Sequence, residues 1–290
     1  MTDYKLDCRG VILDLSKRTQ VMGILNITPD SFSDGGKFTN PDIAIEHAIQ
    51  MEQEGADIID VGAESTRPGS DAVSLEDELN RLQPVVSELL KKLTIPISVD
   101  TYKAPVAEEM LKMGVHLIND ISGLRFDAEM KNVVAKYQSP VVVMHIKGTP
   151  KNMQKNPHYK NVIREVYAYL GDSVNLATRA GIKKELIVID PGLGFGKRLQ
   201  DNYEIIRSLR IFESIGCPIL LGPSRKSFIG KILELDVDQR LEGTAAAVAI
   251  AICNGTHIVR VHDVKEMKRV CHIADLISGK ASIETLQSNQ

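Results

Sequence analysis

Side chains suited to chemistry gather at the ends of short apolar runs. Asn26, Asp100, Asn119 and Asp190 each close a run of branched residues, as do His145 and His262, while Lys226 and Arg260 occupy comparable places. Carboxylates and carboxamides can receive a polar ring edge, and lysine and arginine can meet a carbonyl or an anion. A lone Asp or Asn at a strand end is more often a helix cap or Asx turn. Asp120, directly after Asn119, fits that plainer reading, and His145 divides evenly between a core histidine and a ligand. A whole ring of such residues around one mouth is harder to set aside, because each unneeded charge there carries a desolvation cost. The combination points to a site for a polar small molecule.

The stretch DPGLGFGKR (Asp190–Arg198) invites a phosphate-loop reading, but its spacing matches neither the Walker loop nor the dinucleotide fingerprint. Its glycines can instead bring backbone close to a flat ligand, with Phe195 as an apolar wall. The histidines and cysteines show no zinc-type spacing. A hard cation is compatible, since Mg²⁺ needs only one or two protein oxygens when phosphate and water supply the rest; Asn26 is such an oxygen.

Barrel enzymes carry their chemistry at the carboxyl ends of parallel strands, and the chain supplies the elements for one. Strand-like runs begin at Val21, Asp57, Ile95, Val115, Pro140, Glu185, Cys217 and His257. Segments with apolar residues three and four apart separate them, several ending in glycine, as at Gly55, Gly114, Gly181 and Gly255. This alternation predicts an α/β fold, a (β/α)8 TIM barrel with a short N-terminal β-hairpin. A doubly wound open sheet fits less well, because its edge strands are usually shorter or more polar. The expected organisation is a single domain over 1–290: hairpin 1–20, lying over the amino-terminal end of the barrel, barrel 21–280 and a frayed tail 281–290. A formal net charge of -3 gives no global pull toward nucleic acid or an anionic membrane. With scattered cysteines, no secretory pattern and no long apolar run, a reduced cytoplasmic enzyme is expected.

The motifs, in order, resemble those of the bacterial dihydropteroate synthase family of pterin-binding TIM barrels. They are MGILNITPDSFSDGG (from Met22), ESTRPGS (Glu64), SVDT (Ser98), NDISG (Asn119), MHIKGTP (Met144), DPGLGFGK (Asp190), GPSRKSFIG (Gly222) and RVHDV (Arg260). The resemblance implies a transferase that joins a dihydropterin methyl diphosphate to 4-aminobenzoate, giving 7,8-dihydropteroate and pyrophosphate. It further implies that Asp100, Asn119, Met144, Asp190, Phe195 and Lys226 hold the pterin. Asn26, Thr66, Arg260 and His262 would hold the diphosphate, with Mg²⁺ on Asn26. Phe32, Arg67, Pro68, Gly222 and Ser224 would line the aminobenzoate side, where sulfonamides should compete. The catalytic group carried over is Asp100, Asp190, Lys226, Arg260 and His262, and the expected assembly is a homodimer.

The residue chemistry agrees with this allocation. A pterin edge rich in N–H donors suits Asp100, Asn119 and Asp190, and its ring carbonyl suits Lys226. A methylene on an electron-rich ring favours a dissociative, SN1-like route. Loops NITPDSFSDGGKFTN and GAESTRPGSDA are long enough to close over it. The rival readings are a pterin-dependent methyltransferase domain, a Schiff-base lyase using Lys226 and a non-catalytic pterin-binding homologue. The helix containing GTAAAVAIAI is apolar almost all round, so it is either deeply buried or part of an interface.

Overall fold

The computed structural model describes residues 3–28 and 41–287. Two short strands, β1 (Lys5–Cys8) and β2 (Val11–Asp14), pair antiparallel ahead of β3 (Gln20–Asn26). The chain continues through α1 (Pro41–Gln53), β4 (Ile58–Gly62), α2 (Leu75–Lys92), β5 (Ile97–Asp100), α3 (Ala104–Met113), β6 (Leu117–Asp120) and α4 (Met130–Tyr137). Next come β7 (Val141–Met144), α5 (Val162–Arg179), β8 (Ile187–Asp190), α6 (Leu199–Arg207), β9 (Leu220–Leu221) and α7 (Ser227–Leu233). Last are α8 (Leu241–Cys253), β10 (Ile258–Val261), α9 (Val264–Ser278) and α10 (Ile283–Gln287).

Strands β3 to β10 form one parallel sheet in the order β8, β7, β6, β5, β4, β3, β10, β9. A parallel bridge between Ile189 and Ile219 brings its two ends together, so the sheet is a nearly closed (β/α)8 barrel. Successive side chains on a strand point to opposite faces, and both faces here are buried. One set, including Val21, Ile59, Val99, Ile118, Val141 and Ile187, packs in the main core with helix residues such as Leu82, Leu89, Met110 and Leu170. The other set, Met22, Ile58, Leu117, Val142, Val188, Leu220 and Ile258, forms a cluster with Leu6, Cys8 and Leu15 of the hairpin. The hairpin therefore plugs the amino-terminal end. Burying each of these aliphatic side chains contributes about 1.5–3 kcal/mol, and the plug leaves only the opposite end open for chemistry.

Helix boundaries follow local signals. Ser74 Oγ accepts the Asp77 N–H at 3.1 Å to start α2. Its buried Leu82, Val85, Val86 and Leu89 fall on one face. Gly55, Gly114, Gly181 and Gly255 all adopt positive φ, as expected of left-handed caps.

Four local features depart from a plain alternation of strand and helix. The seventh barrel strand shrinks to Leu220–Leu221, because Pro218 has no N–H to give and Gly222-Pro223 ends the ladder. Residues 209–215 form a 3-10 segment rather than extending α6. The sequence SFIGKIL makes an unexpected short helix, α7, whose first turn follows Lys226. The tail is not wholly frayed: Ile283–Gln287 is helical, started by Ser282 Oγ accepting the Thr285 N–H at 3.2 Å. Among the described residues no helix is long and apolar enough to cross a membrane.

Candidate active site

The inward-facing register generates the site. Two residues beyond each member of the apolar plug layer stand Ile24, Asp60, Asn119, Met144, Asp190, Gly222 and Arg260, and β5 adds Ser98 and Asp100. The same period of two thus turns an apolar layer into a polar one within a single step along the strands. Asn26 and His262 follow one step higher.

Arg260 organises this layer. Its Nε donates to Asp60 Oδ2 at 2.6 Å, and its Nη2 donates to Asp100 Oδ2 at 3.0 Å. Asn119 Nδ2 donates to the same Asp60 oxygen at 3.0 Å. Asp60 has no exposed surface. Burial pushes the Asp100 carboxyl above the usual carboxylate range, the Arg260 charge pulls it down, and neighbouring Asp60 pushes it up again. Sequence reasoning missed Asp60 because it lies inside the run DIIDVG rather than at its end. Counting by two from the strand end would have found it.

Asp190 and Lys226 form the other half of the floor. Asp190 Oδ1 accepts the Gly192 N–H at 2.7 Å, and burial raises its carboxyl while the Lys226 charge opposes the shift. The glycine turn explains itself at Gly192. Its φ is +70°, and an added Cβ would sit 2.1 Å from the His145 carbonyl oxygen, so only glycine lets the turn lie this close to the neighbouring loop. Phe195 is thereby brought under Lys226, whose Nζ stands 4.7 Å from the ring centroid and donates to the Leu193 carbonyl. Burial lowers the Lys226 ammonium to about 8, against the pull of Asp190. Met144, Ile121, Ile146 and Met153 cluster with Phe195 and Tyr102 beside the polar floor, an apolar wall for a flat ring.

Lys226 faces inward because Arg225 turns away. Arg225 adopts a left-handed φ of 54°, its N–H donates to Thr244 Oγ1 at 3.0 Å, and its guanidinium pairs with Asp263. Ser224 and Lys226 on either side are then directed toward the mouth. His262 Nδ1 lies 3.0 Å from Ser224 Oγ. Burial, then the Arg260 charge, lowers its imidazole to about 4, so it is neutral near pH 7. At this strand end Arg260 is the cation, and His262 is a neutral hydrogen-bonding group.

The remaining positions are less tightly drawn together. Thr66 is half-buried, whereas Arg67 and Pro68 are exposed on the loop after β4. Arg67 is near enough for its charge to act on His262. Gly222 lies between two site cations: a Cβ there would be 3.7 Å from Arg260 Cβ and 3.9 Å from Lys226 Nζ. Phe32 and most of the loop after β3 lie outside the described residues. His145 takes the core reading, buried with Nδ1 2.8 Å from Lys197 Nζ and its ring edge-on to Tyr169. Asp120 is the expected turn residue, accepting the Ser122 and Leu124 N–H groups at 2.7 and 2.8 Å.

No group of three His, Cys, Asp or Glu side chains is arranged to hold a metal among the described residues. Asn26 Oδ1 and Asp100 Oδ2 both come within 3.8 Å of the point where a Gly62 Cβ would stand. Asn26 Oδ1 is a hard oxygen of the kind Mg²⁺ takes when phosphate and water supply its other ligands, whereas Asp100 Oδ2 already accepts from Arg260.

Comparison with known proteins gives the same picture. Residues 22–262 match the family model of pterin binding enzymes. The dihydropteroate synthase of Synechocystis sp. is 47% identical over 96% of this chain and 97% of its own length. The crystal structure of the Yersinia pestis dihydropteroate synthase with a sulfonamide drug superposes with a TM-score of 0.90 at 44% identity, covering 95% of this chain and 99% of that one. The Xanthomonas albilineans enzyme in complex with 7,8-dihydropteroate gives 0.85 at 38% identity, covering 94% of this chain and 98% of that one. Identity of this extent, carried by a barrel whose polar floor sits where the motifs place it, means that the chain belongs to the dihydropteroate synthase family of pterin-binding enzymes.

Proposed function

We propose that the barrel mouth runs the family's condensation by a stepwise, dissociative route. As a member of that family the protein is a pterinylmethyl transferase: the diphosphate ester of a 7,8-dihydropterin reacts with 4-aminobenzoate to give 7,8-dihydropteroate and pyrophosphate. The observation that carries the assignment of roles is the Arg260 bridge to Asp60 and Asp100, set opposite Asp190 and Lys226. Asp100, Asn119 and Asp190 take the N–H edge of the ring, Lys226 donates to its carbonyl, and Met144 and Phe195 lie against its face. The carbon–oxygen bond breaks with its electron pair leaving on the diphosphate, and the methylene cation delocalises into the ring. The carboxylates of Asp100 and Asp190 facing the ring suit that cation. The aryl amine then forms the carbon–nitrogen bond and releases its proton to solvent.

On the diphosphate side, Asn26, Thr66 and Arg260 bind the leaving group and neutral His262 donates to it. Mg²⁺, held through Asn26, would neutralise developing charge on the leaving oxygens. Arg67, Pro68, Gly222 and Ser224 orient the acceptor, with Phe32 added by resemblance. Sulfonamides compete there because they share the aryl amine's shape.

Pyrophosphate release with both substrates and Mg²⁺, suppressed by a chelator and by a sulfonamide, is the expected result. Absence of release under those conditions would refute the assignment. For the stepwise route, crystals holding pyrophosphate and no acceptor should trap a cleaved pterin; intact ester alone, under turnover conditions, counts against it. Borohydride should leave Lys226 unmodified, in contrast to a Schiff-base lyase, and the diphosphate-side residues have no use in methyl transfer.

A cytoplasmic homodimer completes the reading. Helix α8 buries Thr244, Val248, Ala251 and Ile252, yet Ile250 is 52% exposed, and neighbouring α9 exposes Ile273 and Ile277. That apolar face fits a second copy of the chain. Light scattering should return twice the chain mass, and a monomer at micromolar concentration would exclude it.

A further inference from the structure

Beside the floor lies a buried ion cluster that the chemistry above does not use. Lys103, three residues past Asp100, places its ammonium on the carboxylates of Glu64 and Glu78. Glu64 belongs to the loop that carries Thr66, Arg67 and Pro68, and Glu78 to the first turn of α2. Glu64 Oε1 accepts the Tyr102 hydroxyl at 2.5 Å, and its Oε2 accepts the Val73 N–H at 3.2 Å. The Glu64 side chain is 7% exposed and that of Glu78 1%. One lysine therefore ties the start of the loop, through Glu64 its end, the following helix and the next strand's loop to one point. Arg81 adds a bond to the Ala63 carbonyl at 2.9 Å.

Farther out the loop's side-chain contacts are more exposed, including an ion pair of Asp71 with Lys151 at 2.7 Å in which both side chains are open to solvent. Ser70 Oγ donates to the Ser65 and Arg67 carbonyls at 2.5 and 2.8 Å, and Gly69 N–H reaches Pro150 O at 3.0 Å. The direction of Thr66, Arg67 and Pro68 is consequently set at the foot of the loop. Removing the cation would leave two glutamates in a space built for three charges. The least costly relief is for Glu64 to swing out, releasing Tyr102 and Val73. None of the floor's hydrogen bonds uses an atom of this cluster; the Glu78 charge reaches Asp100 only through space, behind burial, Arg260 and Asp60 in its effect.

We propose that Lys103 is a positioning residue for the aminobenzoate acceptor, acting through the Glu64 and Glu78 carboxylates on the loop that bears Thr66, Arg67 and Pro68. This rests on placing the acceptor beside that loop. In the full-length protein with Mg²⁺, Lys103→Met should raise the KM for 4-aminobenzoate by about tenfold or more, the scale of a lost charge-assisted contact. The dissociation constant of the diphosphate ester, measured by calorimetry without acceptor, should stay within about twofold, and Lys103→Arg should recover most of the KM. An unchanged acceptor KM, or an equal loss of ester affinity, overturns the proposal.

If Lys103→Met does not fold, Tyr102→Phe removes only the hydroxyl given to Glu64. It should raise the same KM by about threefold, and no rise would be equally decisive. Failure of the unsubstituted protein to release pyrophosphate would strike the reaction itself. The loop effect is then read from the dissociation constant of a sulfonamide, which should rise in Lys103→Met by a similar factor and whose constancy overturns the proposal.

Discussion

Arg260→Ala should lower kcat/KM for the ester by about two to three orders of magnitude, since loss of a preorganised charge at a reacting centre costs about 3–4 kcal/mol. The cause is double. Arg260 is the cation aimed at the leaving diphosphate, and it also neutralises Asp60 and Asp100 at 2.6 and 3.0 Å. Without it two carboxylates remain in a closed floor, and Asp100, already raised by burial, takes up a proton. A protonated Asp100 no longer presents two acceptor oxygens to the ring edge, so pterin binding suffers along with the diphosphate half. Arg260→Lys keeps the charge but cannot span both carboxylates, and should recover only a small part. Steady-state kinetics and calorimetric titration of the ester check both effects; unchanged affinity and turnover in Arg260→Ala would refute this division of the site.

Lys226→Ala should weaken ester binding by about 100-fold, the value of a charge-assisted hydrogen bond in a buried site. Its pH signature is separate from the magnitude. Burial lowers the free-protein ammonium to about 8, and only the protonated form carries the charge that strengthens donation to the ring carbonyl. Plotted against pH, kcat/KM should therefore fall as pH rises through about 8, while protonation of Asp100, pushed up to about 7 by burial, sets the acid limb. Lys226→Arg, which stays charged, should lack that fall whatever its overall rate. An alkaline limb that persists in Lys226→Arg would assign the titration to another group.

The barrel itself was legible because it is a consequence of repetition. Short apolar runs alternating with amphipathic segments leave few ways to bury both faces of a parallel sheet, and the strand ends fall within a residue or two of the observed ones. The mouth residues were legible for the same reason: Asp100 and Asp190 end their strands and Asn119 stands one residue before the end of its own, and chemistry in this architecture gathers there. Failure of the Asp190–Arg198 stretch to match either nucleotide template was equally readable, and its glycines prove to serve close approach of two loops.

What the chain could not show was which polar groups spend their bonding on each other. Asp60 is hidden within an apolar run, and its importance appears only when the register of β4 and β10 sets it against Arg260, 200 positions away in sequence. The charge state of His262 is set by its burial beside Arg260, which keeps it neutral. Lys103 reads as an ordinary residue ahead of a helix until the fold closes two glutamates around it. Sequence by itself determined the architecture and the positions from which side chains could reach the mouth, because periodicity is local. Charge state, pairing and loop anchorage were decided by tertiary structure alone, because they depend on desolvation and on partners that only closure of the barrel brings within a few ångströms.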